Sequence, residues 1–524
     1  MDHCVPPAPN ILEQKLATFS ASMLPIADST NERNLFSNLK QINNLIAHLY
    51  LERSYLNRAI NRHCSPIIHN LPQDVLTVVF SFCLPDHTKF YTSLSKYDLS
   101  APLILGAVCK DWREIAWSNP RLWCTMAINI SSSKTNFESQ TSLAREWLSR
   151  SGRLPLSIRI VWAKYNPSFS PVFASLAALV NNESSRWHTF HLSATPKIYD
   201  IFGGPNFSAP ILESLHVHAN RFPDITITED STFGHFLLPH CPCLREIRLT
   251  DISTRLIKVP TDGITRIYAT GLPIIECRGI IRRMPLVYCE LMAVQDGEFD
   301  SDSAPLSTNL KEFAVHISSK EESFLKNMKA PCLETFTLQT DDDYCLDRIA
   351  NTLHSFVIHS RCSLHTFSLV GDQHLMHPMI SLLEAMPTLR NFTVSTFRRG
   401  SEIVLEIFAR IITSQGKPTK QDFLPNIETL TFTGDWNFRS DQVSYVSPIG
   451  PCIPSYIFQR PLRSVTFEFQ GPVRYLPEKV LFSLLALREY GITLNTASSA
   501  MKDLIQPSLD FYKEFRMRPG YGRA

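Results

Sequence analysis

The nine residues Pro331-Cys332-Leu333-Glu334-Thr335-Phe336-Thr337-Leu338-Gln339 decide the fold class. Leu333, Phe336 and Leu338 form an apolar triplet with the spacing of an apolar residue, two others, an apolar residue, one other, an apolar residue. Phe336 and Leu338 alternate with Thr335, Thr337 and Gln339, the period of a half-buried strand. Glu334 follows the first apolar position directly, as a charge would at a solvated corner. Pro331 precedes that position by two residues. Proline cannot donate to a ladder, so it is expected to hold the chain extended at the strand entry.

Outward from this stretch the triplet recurs at Trp187/Phe190/Leu192, Leu212/Leu215/Val217, Leu244/Ile247/Leu249, Ile264/Ile267/Ala269, Leu286/Cys289/Leu291 and Leu310/Phe313/Val315. It continues at Leu364/Phe367/Leu369, Leu389/Phe392/Val394, Ile427/Leu430/Phe432 and Leu462/Val465/Phe467. Triplets of this kind arise by chance about once in a dozen positions of so apolar a chain, so two further regularities matter. Proline recurs at Pro210, Pro242, Pro387 and Pro425, and a charge recurs at Glu213, Arg245, Lys311, Arg390, Glu428 and Arg463. Between the triplets lie helix-like stretches, so each unit reads as strand, loop, helix. One unit is too small to bury its own apolar face, and stacking buries it against its neighbours.

Alternation sends the intervening residues to the opposite face. They include His216, His218, Glu246, Arg248, Glu312, His316, Thr335, Thr337, Thr393 and Thr431. The early strands are charged there and the later ones are rich in Ser and Thr. Two readings stay open: a solvated β surface, for which Thr is well suited, or a protein-binding surface that holds a target.

Upstream, Leu35, Leu39, Ile42, Ile46, Leu49, Arg53, Leu56 and Ile60 are spaced alternately by four and three. This predicts one helix over 34–64 with a heptad seam of about four repeats. The seam either pairs with a second copy, making a homodimer, or folds back on its own chain. A compact helical module follows at 65–123. Pro72 and Asp74 fit a helix start, with Leu76, Val79, Phe80 and Cys83 on one face. A loop at Asp86–Ser100 leads to a second helix bearing Leu105, Val108, Cys109, Trp112, Ile115 and Ala116.

Leu71-Pro72-x-Asp74-Val75-Leu76-x-x-Val79-Phe80, then Val108-Cys109-Lys110-x-Trp112-Arg113-x-Ile115-Ala116 and Pro120-x-Leu122-Trp123, resembles the F-box, in the variety abundant in mushroom-forming fungi. The resemblance implies the substrate-receptor subunit of a cullin–RING ubiquitin ligase, docked on a Skp-type adaptor. The residues it implies for that docking are Leu71, Pro72, Leu76, Val79, Phe80, Val108, Cys109, Trp112, Leu122 and Trp123. The triplet array resembles degenerate leucine-rich repeats, which often follow an F-box, with spacings of 20 to 38 residues and without the regular corner asparagine.

The expected organisation is therefore α/β. A loose arm (1–33), the long helix (34–64) and the helical module (65–123) precede a leucine-rich-repeat-like solenoid with caps (124–490) and a C-terminal tail (491–524). The expected function is a non-enzymatic substrate adaptor. Its alternatives are a repeat scaffold without a ligase and, third, a hydrolase built on His–Glu pairs. Lys plus Arg total 51 against 49 Asp plus Glu, so nucleic acid and anionic membrane surfaces are not expected partners. Thirteen cysteines without a small-domain framework, and no apolar segment after Met1, predict free thiols in the cytoplasm or nucleus. No cofactor is expected. His240-Cys241-Pro242-Cys243 lacks a second ligand pair at finger spacing, and Asp341-Asp342-Asp343 lacks the spaced ligands and glycine of a calcium loop, so no metal is expected either.

Overall fold

A computed structural model gives the fold. It describes residues 32–64, 71–84, 100–130, 134–162, 170–220, 234–294, 306–317, 323–340, 346–371, 377–396, 407, 410–411, 422–434, 461–469, 475–476, 481, 484–485, 488, 491–498 and 501–517. The expected arm up to residue 31, the loop at 85–99, the Asp341-Asp342-Asp343 turn and most of the end cap expected at Glu478–Tyr490 lie outside the described residues. The chain divides into two compact units, one ending at Leu122 and one running from Trp123.

The first unit is helical. Helix α1 runs from Glu32 to Cys64 and covers the expected heptad stretch. Helix α2, Gln73–Ser81, follows Pro72 with Asp74 in its first turn. The expected second helix is two helices, α3 (Ala101–Val108) and α4 (Lys110–Ser118). The break falls at Cys109, whose backbone is extended (φ −156°, ψ 175°), and its Sγ accepts a hydrogen bond from Trp112 N at 3.4 Å. The thiol thus satisfies one of the donors that a helix start leaves open. Gly106 lets α3 and α4 approach: a Cβ there would stand 3.0 Å from Trp117 Nε1. Arg113 Nε donates to Gly106 O at 2.7 Å across the same contact. Phe80 of α2 meets Trp112 of α4 with ring centroids 4.8 Å apart.

The second unit is mixed α/β, built on one parallel sheet of fourteen strands. They are β1 Thr125–Ile130, β2 Leu156–Trp162, β3 Trp187–Ala194, β4 Ser214–Ala219, β5 Glu246–Thr250, β6 Arg266–Thr270 and β7 Tyr288–Met292. Then come β8 Glu312–His316, β9 Thr335–Thr340, β10 Thr366–Gly371, β11 Asn391–Thr396, β12 Thr429–Gly434, β13 Ser464–Phe469 and β14 Thr493–Ser498. Each strand from β2 to β13 pairs with the one before it and the one after it, and β1 and β14 are the edges. All eleven triplets lie on β3 to β13 and stack in register: Phe313, Phe336, Phe367, Phe392, Leu430 and Val465 are consecutive partners. Every triplet residue is buried except Leu462, which is half-buried.

The triplet face is the core face, and helices cover it. Phe173 of α6 (Ser170–Asn181) lies 4.4 Å from Trp162, and Phe356 of α8 (Leu346–Ser360) lies 5.8 Å from Phe336. The remaining labelled helices are α5 (Lys134–Arg150), α7 (Ile274–Arg283), α9 (His377–Glu384) and α10 (Ile505–Met517).

The five prolines do not hold an extended entry. Each sits at the second position of a tight turn whose fourth residue is the first triplet residue, closed by Leu212 N to Ala209 O, Leu244 N to Cys241 O, Leu333 N to Ala330 O, Leu389 N to Met386 O and Ile427 N to Leu424 O, at 3.1–3.3 Å. Proline's fixed φ suits that turn position. After the turn the corner residues form a ladder of their own. Glu334 N donates to Lys311 O at 2.8 Å, His365 N to Glu334 O at 2.8 Å, Arg390 N to His365 O at 2.8 Å and Glu428 N to Arg390 O at 2.7 Å. Their side chains lie along the surface, with Lys311–Glu334 at 3.5 Å and Arg390–Glu428 at 3.7 Å. Exposed pairs of this kind contribute little stability; the backbone ladder sets the corner.

The segment 491–524, expected as a tail, instead supplies β14 and α10. Gly491, just before β14, and Thr496, within it, stand where the triplet has apolar residues. Thr496 is nonetheless buried, its hydroxyl hydrogen-bonded to Asp503 Oδ1 and Leu504 N, both at 3.1 Å. Among the described residues no helix is long and apolar enough to cross a membrane.

Phe336 stacks between Phe313 at 5.7 Å and Phe367 at 5.9 Å. Phe336→Ala is expected to cost about 3–5 kcal/mol in chemical denaturation. A loss below about 1 kcal/mol would place this residue outside a packed core.

Candidate functional site

Each unit carries a candidate surface. In the helical unit the sequence-derived docking residues separate into two groups. Pro72, Val79 and Val108 are exposed, and Leu71, Cys109 and Trp112 are half-buried. Leu76, Phe80, Leu122 and Trp123, expected at the docking surface, are core residues instead, each 6% exposed or less. Trp123 lies edge-on to Trp147 at 4.7 Å with the Arg150 guanidinium 5.2 Å from its ring centroid, so it belongs to the α/β unit. Trp112 is partly spent on Phe80.

The reason is geometric. Helical periodicity identifies the stripe that packs inward, and the solvent-facing positions lie beside that stripe. Val75, Val78, Phe82, Leu103, Ile104 and Trp117 occupy such positions and are exposed, Phe82 to 83%. Together with Val79 and Val108, they give α2, α3 and α4 an apolar exterior that exceeds scattered surface leucines.

In the α/β unit the open face of the sheet is the candidate surface. One rung crosses β2 to β7 through Arg159, His191, His216, Arg248, Tyr268 and Glu290. The next rung carries Glu246, Arg266, Tyr288 and Glu312. Arg248 packs flat on Tyr268 with its Cζ 3.6 Å from the ring centroid, and Tyr268 meets Tyr288 at 4.8 Å. Arg266 reaches Tyr288 at 5.2 Å. Arginine and tyrosine held in this way are the residue types that carry most binding energy at protein interfaces.

The carboxylates have cationic or phenolic neighbours. Glu246 accepts from Arg248 Nε at 2.9 Å and Ser214 Oγ at 3.3 Å, and Glu290 accepts the Tyr288 hydroxyl at 2.6 Å. Burial, then the contact with Glu290, pushes the Tyr288 phenol well above its ordinary range.

The imidazoles contact one another, hydroxyls and a backbone amide. His191 and His216 stack on each other at 4.0 Å, and His216 Nε2 lies 3.4 Å from Thr250 Oγ1. His218 Nδ1 meets Ser193 Oγ at 3.1 Å. His316 Nδ1 accepts from Ala293 N at 3.2 Å. His191 is 3% exposed, and neither of its ring nitrogens has a hydrogen-bond partner. Burial first, then the nearby positive groups, lowers His191 to about 2 and His216 to about 3.

The sheet brings His216, His218, Glu246 and Arg248 together on β4 and β5. Glu312 and His316 lie on β8, and Thr335, Thr337, Thr393 and Thr431 on β9 to β12. At about 4.8 Å per strand, Thr431 is roughly 38 Å along the sheet from His216. The later half is a neutral hydroxyl and amide surface that partly satisfies itself: Asn391 Nδ2 donates to Thr366 Oγ1 at 3.1 Å, and Thr429 Oγ1 to Asn391 Oδ1 at 2.6 Å. The solvated-surface reading suits that half, and the binding reading suits β2 to β8.

Sequence reasoning missed Arg159, His191, Arg266, Tyr268, Tyr288 and Glu290. The signal was available, because alternation around Phe190, Ile267 and Cys289 aims the last five at the open face. At His240-Cys241-Pro242-Cys243, Cys241 is buried with its Sγ 3.5 Å from Leu238 O, and Cys243 is exposed in the turn before β5. Among the described residues, no group of three or more His, Cys, Asp or Glu side chains is arranged to hold a metal ion. No protein-family model matches the chain, and no curated protein matches it.

The histidine pair makes a pH prediction. Folding keeps both rings neutral, whereas the unfolded chain protonates them near pH 6.5. The unfolded state therefore takes up protons first as pH falls. Their contribution is complete above about pH 6.5 and erodes below it, down to the folded values, by about 1.4 kcal/mol per pH unit for each ring. Thermal melts from neutral to mildly acidic pH should show falling stability, and His191→Phe should flatten the slope. An unchanged slope in that variant would mean that His191 is protonated in the folded chain.

Proposed function

We propose that the protein is a substrate adaptor of an SCF-type cullin–RING ubiquitin ligase. In this reading the helical unit is an F-box-like module that docks on a Skp-type adaptor. The parallel sheet with its helices is a leucine-rich-repeat-like solenoid whose open face, at β2 to β8, holds a target protein. The observation that carries the reading is the apolar exterior of the helical unit. Val75 and Val79 on α2 with Pro72 and Phe82 at its two ends, and Leu103, Ile104 and Val108 on α3, face solvent on a unit with little interior of its own. The strand order supports the solenoid part, because within the sheet each strand is laddered only to its neighbours in sequence.

The chain's own contribution is proximity. A target held on the Arg248–Tyr268–Tyr288 patch would be fixed relative to the ubiquitin-transfer machinery carried by the adaptor side. Positioning of that kind raises the effective concentration of a reacting lysine without any group of this chain entering the chemistry.

The test is capture of a purified Skp-type adaptor by the full chain. Val79→Asp with Val108→Asp places a charge on each of two exposed helical positions and leaves the buried Leu76 and Phe80 intact. The double variant is expected to weaken capture at least about thirtyfold, the loss of roughly 2 kcal/mol of anchor contacts, with far-ultraviolet circular dichroism and melting temperature unchanged. No capture by the unaltered chain would leave the scaffold reading, in which the same surfaces bind other proteins without a ligase.

A further inference from the structure

We infer that α1 pairs in parallel and in register with the same helix of a second copy of this chain. The alternation of four and three assigns Leu39, Ile46, Arg53 and Ile60 to the first core position of a heptad, and Ile42, Leu49 and Leu56 to the second. A seam of that period winds two helices around one another. The helix of 33 residues is about 50 Å long, long enough for four such repeats. Among the described residues, nothing covers the seam. Leu39 is 53% exposed, Ile46 43%, Leu56 56% and Ile60 55%, and Ile42 is half-buried. The flanking Phe36 and Tyr50 are also exposed, which widens the stripe. A continuous apolar stripe of this length is far beyond what isolated surface residues amount to.

The charges select the occupant and its direction. Arg53 is the charged member of the seam, and Glu52 directly precedes it, at the last, flanking position of the preceding heptad. In a parallel, in-register pair the hole that receives Arg53 is lined by Glu52 of the other helix, so both arginines meet a carboxylate. In an antiparallel pair the same arginine would face an apolar residue of the second core position, and no in-register symmetry would bring Glu52 to its hole. The long arginine stem can cover the seam while its head reaches the flank. A single polar residue at this position also fixes register and favours two strands over three.

Sedimentation of the full chain at micromolar concentration is expected to give twice the 59.6 kDa of one chain. Ile46→Asp with Leu49→Asp should return the mass to that of a monomer. Glu52→Lys leaves the apolar seam intact and should weaken self-association, and Glu52→Lys combined with Arg53→Glu should restore it. Ile46→Cys should form a disulfide-linked dimer under mild oxidation that the unaltered chain and His48→Cys do not form. A monomeric unaltered chain would overturn the proposal, including the case in which α1 binds a different protein. A dimer that ignores the charge exchange, or that fails to cross-link through residue 46, would overturn the parallel register.

Discussion

Register is the constraint on which the α/β unit depends. A parallel strand buried on one face cannot slip by one residue without turning every core side chain outward. Here the slip is blocked at the strand entry and, in the central strands, along the strand itself. At the entry, the corner residue donates its N–H to the preceding corner, from Glu213 through Arg245 and on to Arg463. Along the strand, Phe313, Phe336, Phe367 and Phe392 stack at nearly equal separations of 5.7–5.9 Å. Backbone and side chains impose the same period, so each turn of the chain is placed by the one before it. Once the core face is fixed, alternation fixes the open face, and Arg159, His191, His216, Arg248, Tyr268 and Glu290 are drawn into one rung although 131 positions separate the first from the last.

That rung explains why the open face has two characters. In β9 to β13 neighbouring Thr, Ser and Asn side chains hydrogen-bond along the rungs and suit a wet β surface. In β2 to β8 the rungs mix guanidinium, imidazole, phenol and carboxylate groups. Some of that cost is visible in His191, whose ring is buried without partners. Unsatisfied polar groups cost about 1–3 kcal/mol, so a stretch of sheet that tolerates one is where a binding role is most naturally sought. The stacked Arg248 and Tyr268 present a rigid flat surface that loses little side-chain entropy on contact.

The sequence was most legible where one physical rule acts alone. Strand alternation placed all eleven triplets, because it needs only local spacing. It failed at β14, where Gly491 and the buried Thr496 replace apolar residues and the hydroxyl is satisfied by Asp503. The role of the five prolines was misread because a fixed φ suits both an extended entry and a turn, and only the closing hydrogen bond separates them. The break at Cys109 was hidden by Leu105, Val108, Cys109 and Trp112, whose helical spacing runs straight through it. The exposed apolar positions of the helical unit were half legible for a related reason: periodicity marks what is buried, so Leu76 and Phe80 were picked while the exposed Val75 and Phe82 were passed over. Arg266, Tyr268, Tyr288 and Glu290 were within reach of the same alternation rule.

The central claim is a division of labour between an apolar helical docking unit and a polar sheet face. Hydrogen–deuterium exchange of the full chain with and without a purified Skp-type adaptor tests it most directly. The account predicts adaptor-dependent protection of amides in Gln73–Ser81 and Ala101–Ser118, with exchange in β4 to β7 unchanged. Unaltered exchange throughout those helices at saturating adaptor, or protection confined to the sheet, would contradict it.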